Sequence, residues 1–576
     1  MSRVNSLTGS GVKAPHIIVR LLEIVPGFMT WSILLLPIIF SIYQPFLVAY
    51  FIIALDIFWL LKSFRMSSAL AAGYHRLKVA SRTPWADQLS RLEVGEPSRE
   101  QLHDLIIEAK AQTPLLWFMT KRGRRAHEGL VRYEVEIEKL DAYLTKRYSS
   151  SPSRLHHVVV IATYNETLDT LRPTFQALTN IHYDLSKLVV ILAYEQRGGD
   201  KDQERAETLK QEFQDKFGSL YIIQHPDDVT GELKGKGANI TYAMRQVTPR
   251  LLAKGINAHD VVVTTLDADH RPDKDYFSAL SYSFLTNQNP QRTSFQPVPM
   301  FSNNIWDAPA PMRVIATGNS FWVIINSMRP QFLRNFAAHA QSLQALIDTD
   351  YWSVTSPVED GHQYWRTFYR YHGQHTVEPI FVPIYQDATL SRKYFSSFKN
   401  QYLQLQRWAY GASDIPYVVI QNFRHPEIPI GKRFIQFWRL FEGHFTWATT
   451  PFILTFVAWM PLYFSPTFKN TVLAHQLPVI ASQIMTTALV GLFITIWISL
   501  LLLPPRPRHY TWKRNVAMIL QWGLLPLVSL GFGSMAAIDS QTRLMFGRYI
   551  GFRVTEKAVK TNNEEESPKA TKQDKA

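Results

Sequence analysis

Residues 157–166 read HVVVIATYNE, a continuous β-branched run that ends in turn-forming residues. A run of this kind is typical of a strand that is buried on both faces of a sheet. Three similar runs follow it along the chain: LVVILAYE (188–195), SLYIIQH (219–225) and VVVTTLDAD (261–269). Helix-like segments separate the runs. Strands that alternate with helices predict an α/β fold with a largely parallel sheet.

Polar residues stand at the ends of three of these strands: Tyr164-Asn165-Glu166, Glu195 and Asp267-Ala268-Asp269. Ligands of such sheets bind beyond the carboxyl ends of the strands. Polar residues at three of these ends therefore predict a binding site there. Asp267 and Asp269 offer carboxylate oxygens that suit Mg²⁺ or Mn²⁺ bridging a pyrophosphate. A single Asp-x-Asp also occurs by chance and often caps a helix, so this pair alone is weak evidence.

The segment GELKGKGAN (231–239) places Lys234 and Lys236 among glycines ahead of a helical stretch. Glycines let the backbone approach phosphate oxygens, and lysines neutralise their charge, so the segment is a candidate phosphate site. The alternative is an ordinary surface turn.

The segment SPVED (356–360) has the pattern of a helix start. Ser356 suits the N-cap, Pro357 the first helical position, and Glu359 would close a capping box. Asp360 would then lie in the first turn and could take a proton from an acceptor hydroxyl. The alternative is that Glu359 and Asp360 only complement the helix dipole.

A fifth motif, Gln404-x-x-Arg407-Trp408, adds a cation for a departing diphosphate and an aromatic face on which a sugar can stack. The five motifs lie in order between residues 156 and 412, and they resemble those of membrane-bound family-2 glycosyltransferases, which include the cellulose and hyaluronan synthases. The resemblance implies a GT-A fold and an inverting single displacement. It also implies a nucleotide-sugar donor, in the first place a UDP-sugar, and processive growth of a polysaccharide.

The resemblance assigns a role to each matching residue. Asp360 is the expected general base, with Glu359 beside it. Asp269 is the expected ligand of Mg²⁺ or Mn²⁺, and Asp267 is shared between the metal and the donor. The other expected donor-binding residues are Thr163, Tyr164, Asn165, Glu166, Glu195, Lys234, Lys236 and Arg407. Gln404 and Trp408 are expected to bind the acceptor.

The chain departs from the family pattern after the second strand. The family usually has an Asp pair there, whereas this chain has Tyr194-Glu195-Gln196-Arg197. Glu195 is expected to contact the base or the ribose in place of that pair.

Five apolar stretches flank the central part of the chain, at 27–43, 46–61, 445–464, 479–503 and 515–537. The first two approach the ~20 residues that span a bilayer and predict a transmembrane hairpin rather than a cleaved signal peptide. Basic residues flank the hairpin on both sides and fill the loop 504–514, so the positive-inside rule places these parts, and the central domain, in the cytoplasm. They are Arg3, Lys13, Arg20, Lys62, Arg65, Arg506, Arg508, Lys513 and Arg514. We therefore expect a multi-pass protein of the cell membrane.

The last apolar stretch conflicts with that rule if it crosses the membrane, because the basic tail (Arg543, Arg548, Arg553, Lys557) would then lie outside. Pro526 and the Gly531–Gly533 pair permit a broken or re-entrant helix instead, so we favour a cytoplasmic tail. Residues 559–576 are polar and charged and are expected to be disordered.

Two further features have open interpretations. Asp56 lies inside an apolar run, where an acid suggests a function unless it pairs or is hydrated near the membrane edge. The basic cluster at 121–125 marks either a collar against anionic headgroups or a solvated helical face.

The formal net charge of +14 favours phosphate-bearing partners such as a nucleotide or an anionic lipid. Nucleic acid is not an expected partner, because the chain lacks zinc-finger spacing, a recognition-helix pattern and RNP-like aromatic sequence. The absence of cysteine excludes disulfides, thiolate chemistry and Cys-ligated zinc.

Two other functions stay open. One is a non-processive enzyme that adds one or a few sugars to a lipid, so the acceptor is a glycan or a lipid. The other is a catalytically dead scaffold or export subunit, which the presence of every required acid and base argues against. Five apolar segments are fewer than secreting synthases generally carry, so a homo-oligomer or an export partner is a further expectation.

The predicted organisation has six parts. They are a cytoplasmic segment (1–26), a transmembrane hairpin (27–62), a helical juxtamembrane collar (63–155), a GT-A domain with interfacial helices (156–435), C-terminal transmembrane segments (436–538), and a tail that is basic and amphipathic, then disordered (539–576).

Overall fold

The computed structural model describes residues 16–114, 117–146, 150–391 and 393–551. The predictions for Arg3, Lys13, Arg553, Lys557 and the tail 559–576 lie outside the described residues. Among the described residues, five α-helices precede the first strand: α1 (His16–Tyr43), α2 (Pro45–Ala80), α3 (Trp85–Val94), α4 (Glu96–Gln112) and α5 (Lys121–Leu144).

The centre of the molecule is a mixed, mostly parallel sheet. Its eight strands are β1 (His156–Thr163), β2 (Leu188–Glu195), β3 (Ser219–His225), β4 (Val261–Asp267), β5 (Arg271–Pro272), β6 (Thr293–Met300), β7 (Ala340–Ser342) and β8 (Thr376–Tyr385). Their order is β3-β2-β1-β4-β7-β6-β8-β5. The pairs within β3-β2-β1-β4 are all parallel, which confirms the parallel α/β sheet predicted from the four β-branched runs.

Helices cover both faces of this sheet. Those that connect the strands are α6 (Leu168–Thr179), α7 (Asp200–Phe213), α8 (Lys236–Ala253), α9 (Tyr276–Thr286), α10 (Ala310–Ser327), α11 (Leu343–Asp348) and α12 (Glu359–Arg370). Because side chains alternate along a strand, Val158 and Val160 pack with Met244 of α8, whereas Val159 packs in the cluster of Phe277 from α9. Strands β1, β2 and β4 are therefore buried on both sides, as their composition predicts. The same prediction is wrong for β3, which is only partly buried because it lies at the edge of the sheet.

The remaining helices follow the sheet. They are α13 (Tyr394–Ala409), α14 (Asp414–Arg424), α15 (Ile430–Phe456), α16 (Met460–Phe464), α17 (Pro466–Lys469), α18 (Val472–Leu501), α19 (Trp512–Leu520), α20 (Leu525–Val528) and α21 (Met535–Met545).

The collar is continuous with its neighbours on both sides. Helix α2 runs unbroken from the second apolar stretch to Ala80, since no proline interrupts it after Pro45. Leu89 of α3, Leu102 of α4 and Leu140 of α5 belong to the same hydrophobic cluster as Phe277 of α9. The collar helices thus pack onto the sheet domain and share its core.

Within the described residues, five helical segments are long and apolar enough to cross a membrane: Ile17–Tyr43, Pro45–Ala80, Ile430–Phe464, Val472–Leu501 and Trp512–Met545. Each covers one of the five apolar stretches of the sequence, except that the stretch 479–503 extends two residues beyond Leu501. Asp56 is buried in α2, and within the described part of the chain it makes no hydrogen bond or ion pair.

The last of these segments, 512–545, is irregular. A 3₁₀ turn occupies 521–524 and a π-helical turn occupies 529–534, close to Pro526 and the glycine pair. Trp522 stacks on Phe321 of α10 with ring centroids 6.3 Å apart, and Phe532 lies 5.8 Å from Phe398 of α13. Farther along, the Tyr402 hydroxyl of α13 donates to the Met535 carbonyl at 3.4 Å. The segment therefore contacts helices of the sheet domain along its whole length.

Candidate active site

A buried lysine gathers acidic residues at the carboxyl edge of the sheet. The Lys236 ammonium lies 2.8 Å from Asp267 Oδ1, 3.4 Å from Asp360 Oδ1 and 3.8 Å from Glu359 Oε1. Asp267 ends β4, Lys236 begins α8, and the two acids begin α12. Three elements that are distant in sequence therefore meet at one cation.

Gly237 permits this meeting. A Cβ at this position would lie 2.4 Å from the Ser353 carbonyl oxygen and 3.0 Å from the Glu359 Cβ, closer than real side chains come. Only glycine lets α8 approach the start of α12 so closely, which brings Lys236 to the acids.

Opposite charges set the protonation of this cluster. Burial alone would lower the pKa of Lys236, but the attraction of Asp267, Asp360 and Glu359 outweighs it and raises the pKa. Burial and the neighbouring charge of Asp360 raise the pKa of Glu359, and the positive charges of Lys236 and Arg407 oppose that rise only in part. The ammonium therefore stays charged, and Glu359 takes up a proton more readily than an exposed glutamate does.

Glu359 and Asp360 differ in access to solvent. The Glu359 side chain is 4% exposed and the Asp360 side chain is 20% exposed, so Asp360 is the acid that a hydroxyl group can reach. The predicted capping box is wrong. The helix begins at Glu359, Val358 is its N-cap, and Ser356 Oγ accepts from the Val358 amide at 3.3 Å. The physical reason is that the Glu359 side chain turns towards Lys236 rather than back to the helix N-terminus.

His339 is a neighbour of Asp360 that the sequence did not indicate. Its Nδ1 lies 3.0 Å from the Phe336 carbonyl oxygen and 3.5 Å from Asp360 Oδ1, while the Trp352 indole donates to its Nε2 at 3.2 Å. Because Nε2 accepts, the proton sits on Nδ1 and faces the two oxygens. Burial lowers the pKa of His339, so the ring stays neutral. A lone histidine in FAAHAQS gave no signal of this role.

The Asp-x-Asp motif forms a candidate metal centre. Ligand atoms of Asp267, Asp269 and His270 lie within 4.8 Å of one another. Asp269 is buried, and its Oδ2 accepts from the Asp387 amide at 2.8 Å. His270 Nδ1 accepts from the Asp267 amide at 3.1 Å, so its proton is on Nε2, 3.5 Å from Asp267 Oδ2. His270 thus orients Asp267, and the two carboxylates remain the suitable ligands for a hard cation.

The ends of β2 and β3 border a separate cleft. Glu195 accepts from Arg197 Nε at 2.5 Å and from its Nη2 at 2.9 Å, and the Arg197 guanidinium lies 4.0 Å from the centroid of the Tyr164 ring. Glu195, Arg197 and Lys234 line this cleft. Lys234 pairs there with Asp227 and is half exposed, so the two lysines of the glycine-rich segment face different places. Arg197 was not among the predicted site residues.

The turn after β1 is held by its own acid. The Thr163 hydroxyl donates to Glu166 Oε2 at 2.8 Å, and the Tyr164 amide donates to the same oxygen. Asn165 has a φ of +64°, a conformation that asparagine tolerates better than most residues, and its amide donates to Asp202 Oδ2 at 2.8 Å. The turn places the Tyr164 ring against Arg197, which lines the cleft.

The Gln-x-x-Arg-Trp motif lies on α13. Arg407 is close enough to Glu359 to affect its ionisation, which brings this cation to the acidic cluster. Gln404 Oε1 accepts from the Thr389 hydroxyl at 3.1 Å, in the loop that also carries Asp387. Trp408 is half-buried against the apolar cluster of Leu70 and Leu405. Acceptor binding by Gln404 and Trp408 stays a prediction.

No protein-family model matches the chain, and no curated protein matches it. Among solved structures, a mannosyltransferase from Pyrobaculum calidifontis in complex with GDP-Man and Mn²⁺ is 13% identical, with a TM-score of 0.40 over 72% of this chain and 95% of that chain. TarS residues 1–349 from S. aureus in complex with UDP-GlcNAc is 11% identical, with a TM-score of 0.33 over 69% of this chain and 93% of that chain. Likeness at this level carries no inference about function.

Proposed function

We propose that this chain is a membrane-embedded, inverting glycosyltransferase of the family-2 kind with a GT-A domain. It transfers a sugar from a nucleotide-sugar donor, a UDP-sugar in the first place, to a growing polysaccharide at the cytoplasmic face. The observation that carries the proposal is the meeting of Lys236, Asp267 and Asp360 at the carboxyl edge of the parallel strands. Ligands of such sheets bind at that edge.

The donor has a suitable place on the edge. The cleft of Glu195, Arg197 and Lys234 offers hydrogen-bonding groups for a nucleoside, and the Tyr164 ring beside Arg197 offers a flat face. The cluster around Asp267 lies at the end of β4, two strands from β2 in the sheet order. A donor with its nucleoside in the cleft would extend its diphosphate towards Asp267 and Asp269.

The carboxylates fit a divalent cation. Asp267, Glu359 and Asp360 surround Lys236, and Asp269 lies beside Asp267, so the site is rich in the carboxylate oxygens that Mg²⁺ and Mn²⁺ prefer. Asp269 and Asp267 would hold the ion. A cation bound there would neutralise the diphosphate as it departs.

Asp360 supplies the base. In a single displacement an acceptor hydroxyl oxygen bonds to the anomeric carbon, the bond from that carbon to the diphosphate breaks, and the hydroxyl proton passes to Asp360. Lys236 holds the carboxylate in place, and the His339 ring presents its Nδ1 proton to Asp360 Oδ1 at 3.5 Å. Arg407 would face the charge on the departing diphosphate.

The membrane arrangement follows from charge and contacts. Segments α1, α2, α15 and α18 would cross the bilayer. Residues 512–545 would lie at its cytoplasmic side, because Trp522, Phe532 and Met535 contact α10 and α13. The same segment is bonded to α1 through Gln541 and to α15 through Ser534. The basic loop 504–514 and the start of α1 then share the cytoplasmic side with the active site.

A lipid acceptor is the second candidate. It is favoured by the same arrangement, since four crossing helices in the described chain provide little wall for a polymer channel. The length of the product separates the two candidates, because a lipid-directed enzyme adds one or a few sugars.

The proposal is tested with the purified chain in membranes and a panel of nucleotide sugars in the presence of Mg²⁺ or Mn²⁺. We expect one sugar donor to yield nucleoside diphosphate together with a sugar-bearing product. Absence of nucleoside diphosphate release from every donor of the panel, with the chain folded, would contradict sugar transfer.

A further inference from the structure

A group of basic residues lies where α2, α10 and α15 meet. Arg65 belongs to α2, Arg329 to the turn after α10, and Arg439 to α15. We refer to these three residues as the arginine cluster. None of them belongs to the candidate active site, and the proposed reaction gives them no task.

Contacts bring the cluster together. The guanidinium carbons of Arg329 and Arg439 lie 4.5 Å and 3.1 Å from the centroid of the same ring, Phe332. Arg65 and Arg329 are both within electrostatic range of Arg439. Two of the three cations thus pack on one aromatic side chain, and the charge of Arg65 acts on both of them.

The cluster is not neutralised by protein. The nearest acid, Glu442, is 3.5 Å from Lys62, a fourth cation, and so is already paired. Within the described ranges, no carboxylate forms an ion pair with any arginine of the cluster. Burial lowers the pKa of Arg329, and the charge of Arg65 lowers it further. An anion placed among these groups would relieve their mutual repulsion.

The cluster lies at the end of the apolar parts of two helices. The apolar stretch 46–61 ends just before Lys62, and the stretch 445–464 begins just after Glu442. Each helix carries an exposed aromatic side chain near this end of its apolar stretch. They are Phe64 on α2, which is 41% exposed, and Trp438 on α15, which is 47% exposed. Aromatic residues mark the headgroup level of a bilayer. The arginine cluster therefore lies at headgroup depth if the helices cross the membrane.

We infer that the arginine cluster binds the phosphate group of an anionic membrane lipid. Guanidinium groups bind phosphate oxygens through paired N–H donors. Three of them at the membrane edge can therefore bind one phosphate group together. The lipid would bridge α2 and α15 to the turn that follows α10. The inference rests on the membrane placement in the proposed function and is independent of sugar transfer.

The test measures lipid binding directly. The full chain in neutral detergent is titrated with phosphatidylglycerol or phosphatidylcholine, and bound lipid is counted by native mass spectrometry. We expect tight retention of phosphatidylglycerol and weak retention of phosphatidylcholine. The double variant Arg329→Gln/Arg439→Gln should bind phosphatidylglycerol on the order of thirty-fold more weakly, since two cations near an anionic headgroup are lost.

Matched variants keep the test sharp. Arg506→Gln/Arg508→Gln removes the same charge from the exposed loop 504–514 and should change binding by less than about two-fold, because neither residue is among the charges that act on Arg329 or Arg439. Arg329→Lys/Arg439→Lys keeps the charge and should retain most of the phosphatidylglycerol binding. This variant tests the role of charge even if the glutamine variant fails to fold. Equal losses in the cluster and loop glutamine variants, or no loss in either, would overturn the inference.

A last arm separates the sources of phosphate. Excess inorganic phosphate should leave phosphatidylglycerol bound, because the acyl chains add to its affinity. Complete displacement of phosphatidylglycerol by inorganic phosphate would show that the cluster binds a soluble phosphate, and it would overturn the inference of a lipid site. Lipid retention without sugar transfer would contradict the proposed function alone, and sugar transfer without selective retention would contradict this inference alone.

Discussion

Replacing Lys236 with methionine tests whether this residue holds the acidic cluster together. The substitution keeps much of the side-chain volume and removes a buried charge that faces Asp267, Glu359 and Asp360. Breaking a buried ion pair by removing one partner typically costs about 3–5 kcal/mol, because the remaining charge is left uncompensated. For a domain of this size the midpoint of thermal unfolding should fall by roughly 10 °C.

Lys234→Met is the matched control. Lys234 lies two residues earlier in the same segment, but it pairs with Asp227 on the surface, where the two side chains are 55% and 45% exposed. Exposed pairs contribute about 0–1 kcal/mol, so the midpoint should shift by no more than about 2 °C.

The Lys236→Met deficit should depend on pH with a definite sign. The folded pKa of Lys236 lies above its ordinary value, so its contribution is complete below about pH 10 and is constant across the neutral range. The pKa of Glu359 is raised by burial and by Asp360, and it should rise further without Lys236. The pKa of Glu359 is about 8 in the native chain and higher in the variant, so the variant keeps this proton where the native chain releases it, and its deficit grows as the pH rises above about 8.

The assay is thermal unfolding of both variants and the native chain at about pH 7 and about pH 9.5, which lie on either side of the raised pKa of Glu359, followed by differential scanning fluorimetry. We expect a deficit for Lys236→Met that is larger at the higher pH and nearly absent for Lys234→Met. Equal midpoints for the two variants, or a Lys236→Met deficit that does not change with pH, would refute the reasoning.

The remaining predictions concern the metal, the acceptor and the membrane. Asp269→Ala should abolish turnover, because it removes a carboxylate that would hold the cation, and the native chain should lose activity in chelator; full turnover in excess chelator would contradict the metal site. Trp408→Ala should still hydrolyse donor but give shortened product or none if the ring holds the acceptor, whereas unchanged product length would identify it as a membrane anchor. Reporter fusions after Arg65 and within 504–514 should report a cytoplasmic position and a fusion at Asn470 an external one; an external signal from the sheet domain would overturn the topology.

The parallel half of the sheet was predictable because its signal is local. Strands β1, β2 and β4 are apolar runs rich in β-branched residues, and burial on both faces requires that composition. The other half lacks such a signal. Strand β6 contains Pro297 and Pro299, with a register shift between them, and β8 contains Pro379 and Pro383. Proline disfavours a strand prediction, and only tertiary pairing with neighbours fixes these segments in the sheet.

The candidate site was predicted in part for the same reason. Asp267 and Lys236 stand directly at the ends of regular elements, so sequence position indicates their place. His339 and Arg197 act through side-chain contacts across the fold, with Asp360 and with Tyr164, and no pattern in the sequence records such contacts.

Lys234 shows that a sequence motif does not determine where each of its side chains lies. It precedes α8 whereas Lys236 begins it, so a separation of two residues sends one ammonium to the surface cleft and the other to the buried acids.

The central claim is that Asp360 is the base of a sugar transfer, and one measurement tests it most directly. Donor binding and nucleoside diphosphate release are compared for Asp360→Asn, with Asp350→Asn as control. The control also removes a carboxylate, but a surface one paired with Arg245, at a φ of +50° that asparagine tolerates. We expect near-native donor binding with turnover reduced by roughly 10²–10⁴ in Asp360→Asn and unchanged in the control. Turnover of Asp360→Asn within a few-fold of the native chain would contradict the account.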